Sequence, residues 1–153
     1  MKSLIVCAVV SFAALVLAAD APPSDAAAKD KAALQGTWQS VKEEMRGGAA
    51  PGDARDHRMV FSGDTFRFAK GDETLIRGTF KLDPSKSPKV MEMVITEGAG
   101  SDPGVPAHGI YELTADGLKW CAAEPGTDGK PEKFDTKGTT NVTVELKRVA
   151  EAK

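Results

Sequence analysis

From Leu34 onward, the chain is divided into short segments in which apolar and polar residues alternate. In the segment TFRFAK, for example, Phe66 and Phe68 flank Arg67. Such alternation places apolar side chains on one face of a β-strand, whereas an amphipathic helix needs apolar residues three or four positions apart. The segments are bounded by Gly, Pro, Asp and Ser residues that favour turns. This pattern predicts an antiparallel all-β domain.

The number and spacing of these segments constrain the architecture further. The predicted strands cover residues 37–45, 58–61, 65–70, 73–82, 90–97, 108–114, 118–122 and 141–148, and residues 132–135 could add a short edge strand. One polar face on each strand excludes a parallel sheet that is buried on both sides. About eight short strands with mostly short connections predict an up-and-down barrel or a sandwich.

The N-terminus has a different character, that of a secretory signal peptide. Lys2 is followed by an uncharged apolar run from Leu4 to Ala19, and small residues lie at its end. The run is shorter than the roughly 20 residues that a membrane-spanning helix needs, although an uncleaved anchor is the alternative. We predict that residues 1–18 are removed after Ala18 or Ala19, and that the remaining chain is exported to the periplasm or the extracellular space with no membrane span.

Cleavage would also change the charge and the cysteine content. Removal of residues 1–18 takes away only Lys2 among the charged residues, which leaves 19 basic and 22 acidic residues and a net charge of −3. Nucleic-acid binding usually requires a clustered basic surface, and no such cluster is visible, so we expect no nucleic-acid partner. Cys7 is lost with the leader, so Cys121 has no partner for an intrachain disulfide.

Residues 19–33 form a polar linker rich in Ala and Pro. Pro22 and Pro23 favour an extended tether, and a short helix could begin after Ser24 or Asp25 as N-cap. The β domain is then predicted to cover residues 34–149.

Several sequence blocks resemble a known family. Gly36-Thr37-Trp38 places a Gly-x-Trp motif at the first strand, which resembles the lipocalin signature. Together with RMVFSGDTF, GTFKLDPSKSPK, GIYEL, LKWCAAEPG and VELKR, it resembles a bacterial family, abundant in planctomycetes, that is described as a conserved lipocalin-like domain of unknown function. The resemblance covers nearly all of the chain after the leader. It implies a calycin-type barrel, and it brings no catalytic residue and no cofactor.

The resemblance also implies how one end of the barrel is closed. In lipocalin-like barrels the Trp of the first strand packs across the closed end beneath a basic residue of the last strand. Arg148 has the same parity as Val144 and Leu146, so it should point inward and stack on Trp38 as a cation–π pair. Gly36, Trp38 and Arg148 are therefore predicted as a structural group that closes the barrel.

The inward side chains decide whether the barrel is filled or open. An eight-stranded barrel is just wide enough to be filled by side chains or to hold one small ligand. We expect at most a modest cavity near one end, too small for a long lipid. Its predicted lining is Phe66, Phe68, Ile76, Phe80, Met91, Met93 and Trp120.

Residues that could carry chemistry do not form a recognisable set. His57 and His108 lie beside predicted loops without the spacing of a zinc site, so solvated histidines are expected. Cys121 is predicted to be a half-covered structural thiol, because it lies on the opposite face of its strand from Trp120. The candidate carboxylates are expected on solvated faces, because no spacing selects a pair among Glu43, Glu44, Glu92, Glu97 and Glu112. We expect no enzyme, no metal and no cofactor.

Three functions remain open from sequence. The first is an exported non-catalytic binding module whose ligand could be a small apolar molecule. The alternative is a periplasmic protein-interaction domain, such as an inhibitor or envelope-stress component, with a filled barrel and recognition by loops 47–57 and 98–106. The third is an unrecognised enzyme. An apolar cavity in the barrel would favour the binding module, and a filled core would favour the protein-interaction domain. A polar cleft with paired titratable groups would favour the enzyme.

Overall fold

A computed structural model describes residues 24–98 and 103–150 of the chain. The predicted signal peptide, its cleavage site and the first residues of the linker lie outside the described residues.

The described chain contains one helix, one 3₁₀ turn and nine strands. Helix α1 (Asp25–Leu34) is capped by Ser24, whose hydroxyl accepts a hydrogen bond from the Ala27 amide at 3.2 Å. The strands are β1 (Gly36–Met45), β2 (Gly48–Ala49), β3 (His57–Ser62), β4 (Thr65–Lys70), β5 (Glu73–Asp83), β6 (Lys89–Gly98), β7 (Val105–Leu113), β8 (Gly117–Ala122) and β9 (Val142–Arg148), and the 3₁₀ turn (Ala54–Asp56) precedes β3.

The strands form a closed antiparallel barrel. Each strand from β3 to β8 pairs with the next one in the chain, and β1 pairs with both β3 and β9. These eight strands close the ring, and the two-residue strand β2 pairs only with β1. The structure confirms the predicted all-β, eight-stranded, lipocalin-like barrel with a short N-terminal helix.

Some strand boundaries differ from prediction for identifiable reasons. Strand β2 was not predicted, and residues 132–135 form bends rather than an edge strand. Strand β7 begins at Val105 instead of 108 and so includes Pro106. The Pro106 carbonyl accepts a hydrogen bond from the Gly126 amide at 2.9 Å. The N and O of one residue point to the same side of an antiparallel strand, so the missing N–H of Pro106 leaves the ladder to β6 intact.

A β-bulge in β1 changes which of its residues face the barrel interior. Ser40 pairs with Leu146 but Lys42 pairs with Glu145, so Val41 is the extra residue, and it is 42% exposed. Beyond a bulge of one residue, the side chains that would have pointed outward point inward, and those that would have pointed inward point outward. The inward positions of β1 are therefore Trp38 and Ser40 before the bulge, and Glu43 and Met45 after it.

Helix α1 covers one end of the barrel, which we call the closed end. Leu34 is fully buried, and its carbonyl accepts a hydrogen bond from Trp38 Nε1 at 2.7 Å. The core here also includes Met59, Phe61, Phe80, Met91, Tyr111, Leu118 and Leu146, all buried.

Asp30 ties α1 to two strands at the closed end. Its Oδ2 accepts hydrogen bonds from Lys89 Nζ and from the Tyr111 hydroxyl, each at 2.7 Å. Burial by itself would raise the pKa of Asp30, but these hydrogen bonds and the Lys89 charge outweigh it and hold that pKa below its ordinary value. Burial and the contact with Asp30 raise the pKa of Tyr111 far above its usual range, so its hydroxyl remains a donor.

Candidate functional site

The predicted barrel-closing residues lie together at the closed end. The Arg148 guanidinium carbon is 4.1 Å from the centroid of the Trp38 ring, and Trp38 is fully buried. Arg148 also donates to the carbonyls of Gln35 at 2.9 Å and Ala115 at 3.3 Å, and to that of Ala33. Gly36 adopts φ +106°, which L side chains rarely adopt, and so admits the turn from α1 into β1. These contacts fill and fix the closed end of the barrel.

The opposite end, which we call the open end, contains a cavity of about 410 Å³. Its wall is mostly apolar and aromatic, as small-ligand sites usually are. Five of the residues predicted from sequence line it, namely Phe66, Phe68, Ile76, Met93 and Trp120, and they are joined by Met45, Ile95, Ala107, Ala122, Val142 and Val144.

Phe80 and Met91, also predicted as cavity lining, lie in the core instead. Phe80 is 3% exposed and Met91 is fully buried. The Phe80 ring meets Phe61 edge to face, with centroids 5.2 Å apart. Strand parity gives the face on which a residue lies but not its height along the barrel axis, and these two residues lie nearer the closed end.

A carboxylate also lines the cavity. Glu43 faces inward because of the bulge at Val41, and its Oε1 and Oε2 lie 2.9 and 3.1 Å from His57 Nδ1. The Glu43 and His57 side chains are only 9% and 13% exposed. The His57 ring packs against Phe68 with centroids 5.3 Å apart. The expectations of a solvated His57 and a solvated Glu43 were therefore wrong.

Sequence reasoning assigned Glu43 to a solvated face because no spacing singled out a pair of carboxylates, and it did not anticipate the bulge in β1. One signal was present: Met45 is out of phase with Trp38, so both can face inward only if one residue between them bulges. Strict alternation would instead have placed Lys42 and Glu44 in the barrel, next to an apolar core.

The Glu43–His57 pair lies where the backbone ladder between β1 and β3 ends. The last paired residues are Gln39 and Arg58. Beyond them the Gln39 side-chain amide donates to the carbonyls of His57 at 2.7 Å and Arg55 at 2.5 Å. Side chains thus connect β1 to β3 at the open end. Glu43 therefore belongs both to this connection between the two strands and to the cavity wall.

Three buried side-chain polar atoms in the described part of the chain have no hydrogen-bond partner. They are Ser40 Oγ, Trp120 Nε1 and Thr143 Oγ1. The Trp120 indole packs over Gly109, where an added Cβ would lie 3.0 Å from Nε1 and 3.3 Å from Met93 Cε. Trp120 lines the cavity, but its Nε1 is packed against Gly109 and exposes almost no surface.

The remaining chemical candidates lie away from the cavity. Cys121 is fully buried rather than half covered, and its Sγ is 3.9 Å from the Lys133 carbonyl in the loop after β8. Burial raises the pKa of the Cys121 thiol. His108 Nδ1 contacts Glu92 and its side chain is 19% exposed, so it is not a solvated histidine either. Within residues 24–98 and 103–150, no group of three or more His, Cys, Asp and Glu could hold a metal ion.

No protein-family model, curated protein or solved structure matches this chain. The resemblance to the lipocalin-like domain family therefore remains a prediction from the sequence blocks. Among the described residues, no helix combines the length and the apolar character needed to cross a membrane.

Proposed function

We propose that this chain is an exported, non-catalytic binding module and that a small apolar molecule is its ligand. The observation that carries the proposal is the apolar cavity of about 410 Å³ at the open end. Ligand cavities in proteins typically measure roughly 300–1,000 Å³, so the volume suits a small molecule rather than a long lipid.

The cavity favours this function over the alternative of a protein-interaction domain with a filled barrel. A void lined by apolar side chains lowers stability, because the lining atoms lose van der Waals contacts. The closed end avoids that cost by packing Phe61, Phe80 and Met91 tightly. At the open end the inward positions include Ala107 and Ala122, which leave space that larger side chains could have filled.

The non-catalytic part of the proposal rests on where the reactive groups lie. The thiol of Cys121 lies on the opposite face of β8 from Trp120, and its raised pKa disfavours the thiolate. His57 Nδ1 contacts the Glu43 carboxylate, and among the described residues no serine, threonine or cysteine is hydrogen-bonded to His57. Nucleophilic catalysis needs such a pairing.

Titration of the chain that begins after Ala18 with small and long-chain fluorescent apolar probes tests the proposal. We expect saturable binding of small probes in the micromolar range. Ala107→Leu should fill part of the cavity and weaken binding at least tenfold, with no loss of thermal stability. The control is Val94→Leu, because Val94 is 40% exposed on the outer face of β6. It should leave binding unchanged.

Two results would count against this function. If no small apolar probe binds, the cavity has no ligand-binding role. If a long-chain probe binds with submicromolar affinity, the protein is a lipid carrier and the size argument is wrong.

A further inference from the structure

We infer that the cavity selects a small apolar amine, whose ammonium group binds the carboxylate of Glu43. This inference rests on the proposed function and specifies the class of its ligand.

The first argument is the placement of the charge. The three charged residues of the cavity wall are Glu43, Arg46 and Glu124. Arg46 and Glu124 are exposed residues, whereas the Glu43 side chain is only 9% exposed. Of these three charged residues, the one that is shielded from water is therefore Glu43, and its charge is negative. Shielding from water strengthens the attraction of that charge for a cation.

The second argument is the unused hydrogen-bonding capacity of Glu43. An ionised carboxylate offers about four acceptor positions. Among the described residues, only His57 donates to the Glu43 carboxylate, and both oxygens share its single Nδ1. Burying a carboxylate with so few donors costs free energy, because the hydrogen bonds that it made to water are only partly replaced by hydrogen bonds to the protein. An ammonium group brings three N–H donors and the compensating charge.

The third argument is the nature of the surrounding wall. The rings of Phe66, Phe68 and Trp120 line the same cavity. Aromatic faces attract cations, most strongly where water is excluded. A carboxylate ligand would instead place a second negative charge beside Glu43, which low dielectric penalises.

A purely structural role for Glu43 must be separated from ligand selection, because the Glu43–His57 pair also connects β1 to β3. Glu43→Gln suits this purpose, because the amide oxygen can still accept the His57 Nδ1–H while the charge is removed. The matched control is Glu44→Gln. Glu44 is the next residue on β1, it pairs with Thr143, and its carboxylate lies 3.2 Å from Lys42 Nζ.

Three probes with one carbon skeleton provide the test: 3-phenylpropylamine, 3-phenylpropanol and 3-phenylpropanoate. Their affinities for the chain that begins after Ala18 would be measured by calorimetry at neutral pH. We expect the amine to bind at least tenfold more tightly than the alcohol, and the acid to bind most weakly. In Glu43→Gln the affinity for the amine should fall at least tenfold while that for the alcohol changes less than about threefold. Glu44→Gln should retain the wild-type order.

The outcomes separate this inference from the proposed function. If the alcohol binds as tightly as the amine, or the acid binds most tightly, amine selection is refuted while ligand binding stands. If none of the three binds, the proposed function itself fails. Should Glu43→Gln not fold, carbon-13 NMR of the wild-type Glu43 carboxylate decides. The chemical shift of this resonance should change when the amine is added and should stay constant when the alcohol is added. Equal changes with both ligands would refute amine selection.

Discussion

Trp38 holds the closed end together through three kinds of contact. Its ring is fully buried, its N–H donates to the Leu34 carbonyl at 2.7 Å, and the Arg148 guanidinium stacks on its face. Trp38→Ala should lower the free energy of unfolding by about 3–5 kcal/mol, as large-to-small core substitutions do. Urea denaturation measures this, with Trp38→Phe as the control that keeps most of the buried area. A loss below about 1 kcal/mol for Trp38→Ala would show that the closed end is not anchored by this residue.

Gly78 is required for close packing, not for conformational freedom. A Cβ at this position would lie 2.2 Å from the Val94 carbonyl oxygen and 2.9 Å from Phe66 Cε1. The backbone oxygen cannot move without disturbing the β5–β6 ladder, so Gly78→Ala should cost about 1–3 kcal/mol of stability. Gly48→Ala is the matched control, because no atom lies within 4 Å of its added Cβ. Equal melting temperatures for the two variants would contradict this packing.

At the scale of elements, the attachment of α1 depends on the charge of Asp30. Its folded-state pKa is held below the ordinary value, so its stabilising contribution is present above pH 4 or so and is lost as pH falls through that lowered pKa. Asp30→Asn should therefore lower stability by roughly 1–3 kcal/mol at pH 7, since the partly buried hydrogen bonds from Lys89 and Tyr111 lose their charged acceptor. The difference between wild type and Asp30→Asn should shrink towards pH 3 in denaturation curves. A constant difference from pH 7 to pH 3 would show that the charge of Asp30 does not stabilise the helix.

The positions of the strands in the sequence were predicted more accurately than the directions in which their side chains point. Alternation in TFRFAK and in β9 was regular, so Phe66, Phe68 and Arg148 were assigned to the correct face. Glu43 was assigned to solvent because no spacing selected a pair of carboxylates, and the bulge at Val41, which turns Glu43 inward, was not predicted. His57 was predicted to be solvated because it lies beside a loop, and its partner Glu43 lies 14 residues earlier on the neighbouring strand β1. The alternation of residues in the sequence predicts on which face of a strand a side chain lies. The position of a bulge, and the height of a residue along the barrel axis, depend instead on how the strand pairs with its neighbours.

At the scale of the whole molecule, the sequence predicts separate roles for a leader and for the barrel. Residues 1–18 are predicted to direct export and to be absent from the working protein. Intact-mass measurement of the native exported form should give a chain that begins at Ala19 or Asp20. Recovery of the full chain in a membrane fraction would mean that the apolar run is an anchor.

The barrel itself has two unlike ends. One is packed beneath α1 around Trp38, and the other encloses an apolar space with Glu43 in its wall. The four methionines among the described residues are divided between the two ends. Met45 and Met93 line the cavity, whereas Met59 and Met91 are buried in the closed-end core. The four methyl groups can therefore report, within one sample, which end of the barrel a ligand enters.

Methyl NMR of the chain labelled at methionine Cε, titrated with 3-phenylpropylamine, tests the central claim most directly. The account predicts saturable shifts of the Met45 and Met93 resonances, while those of Met59 and Met91 stay in place. No shift at any methionine, or shifts at Met59 and Met91 as large as those at Met45 and Met93, would contradict a ligand site at the open end of the barrel.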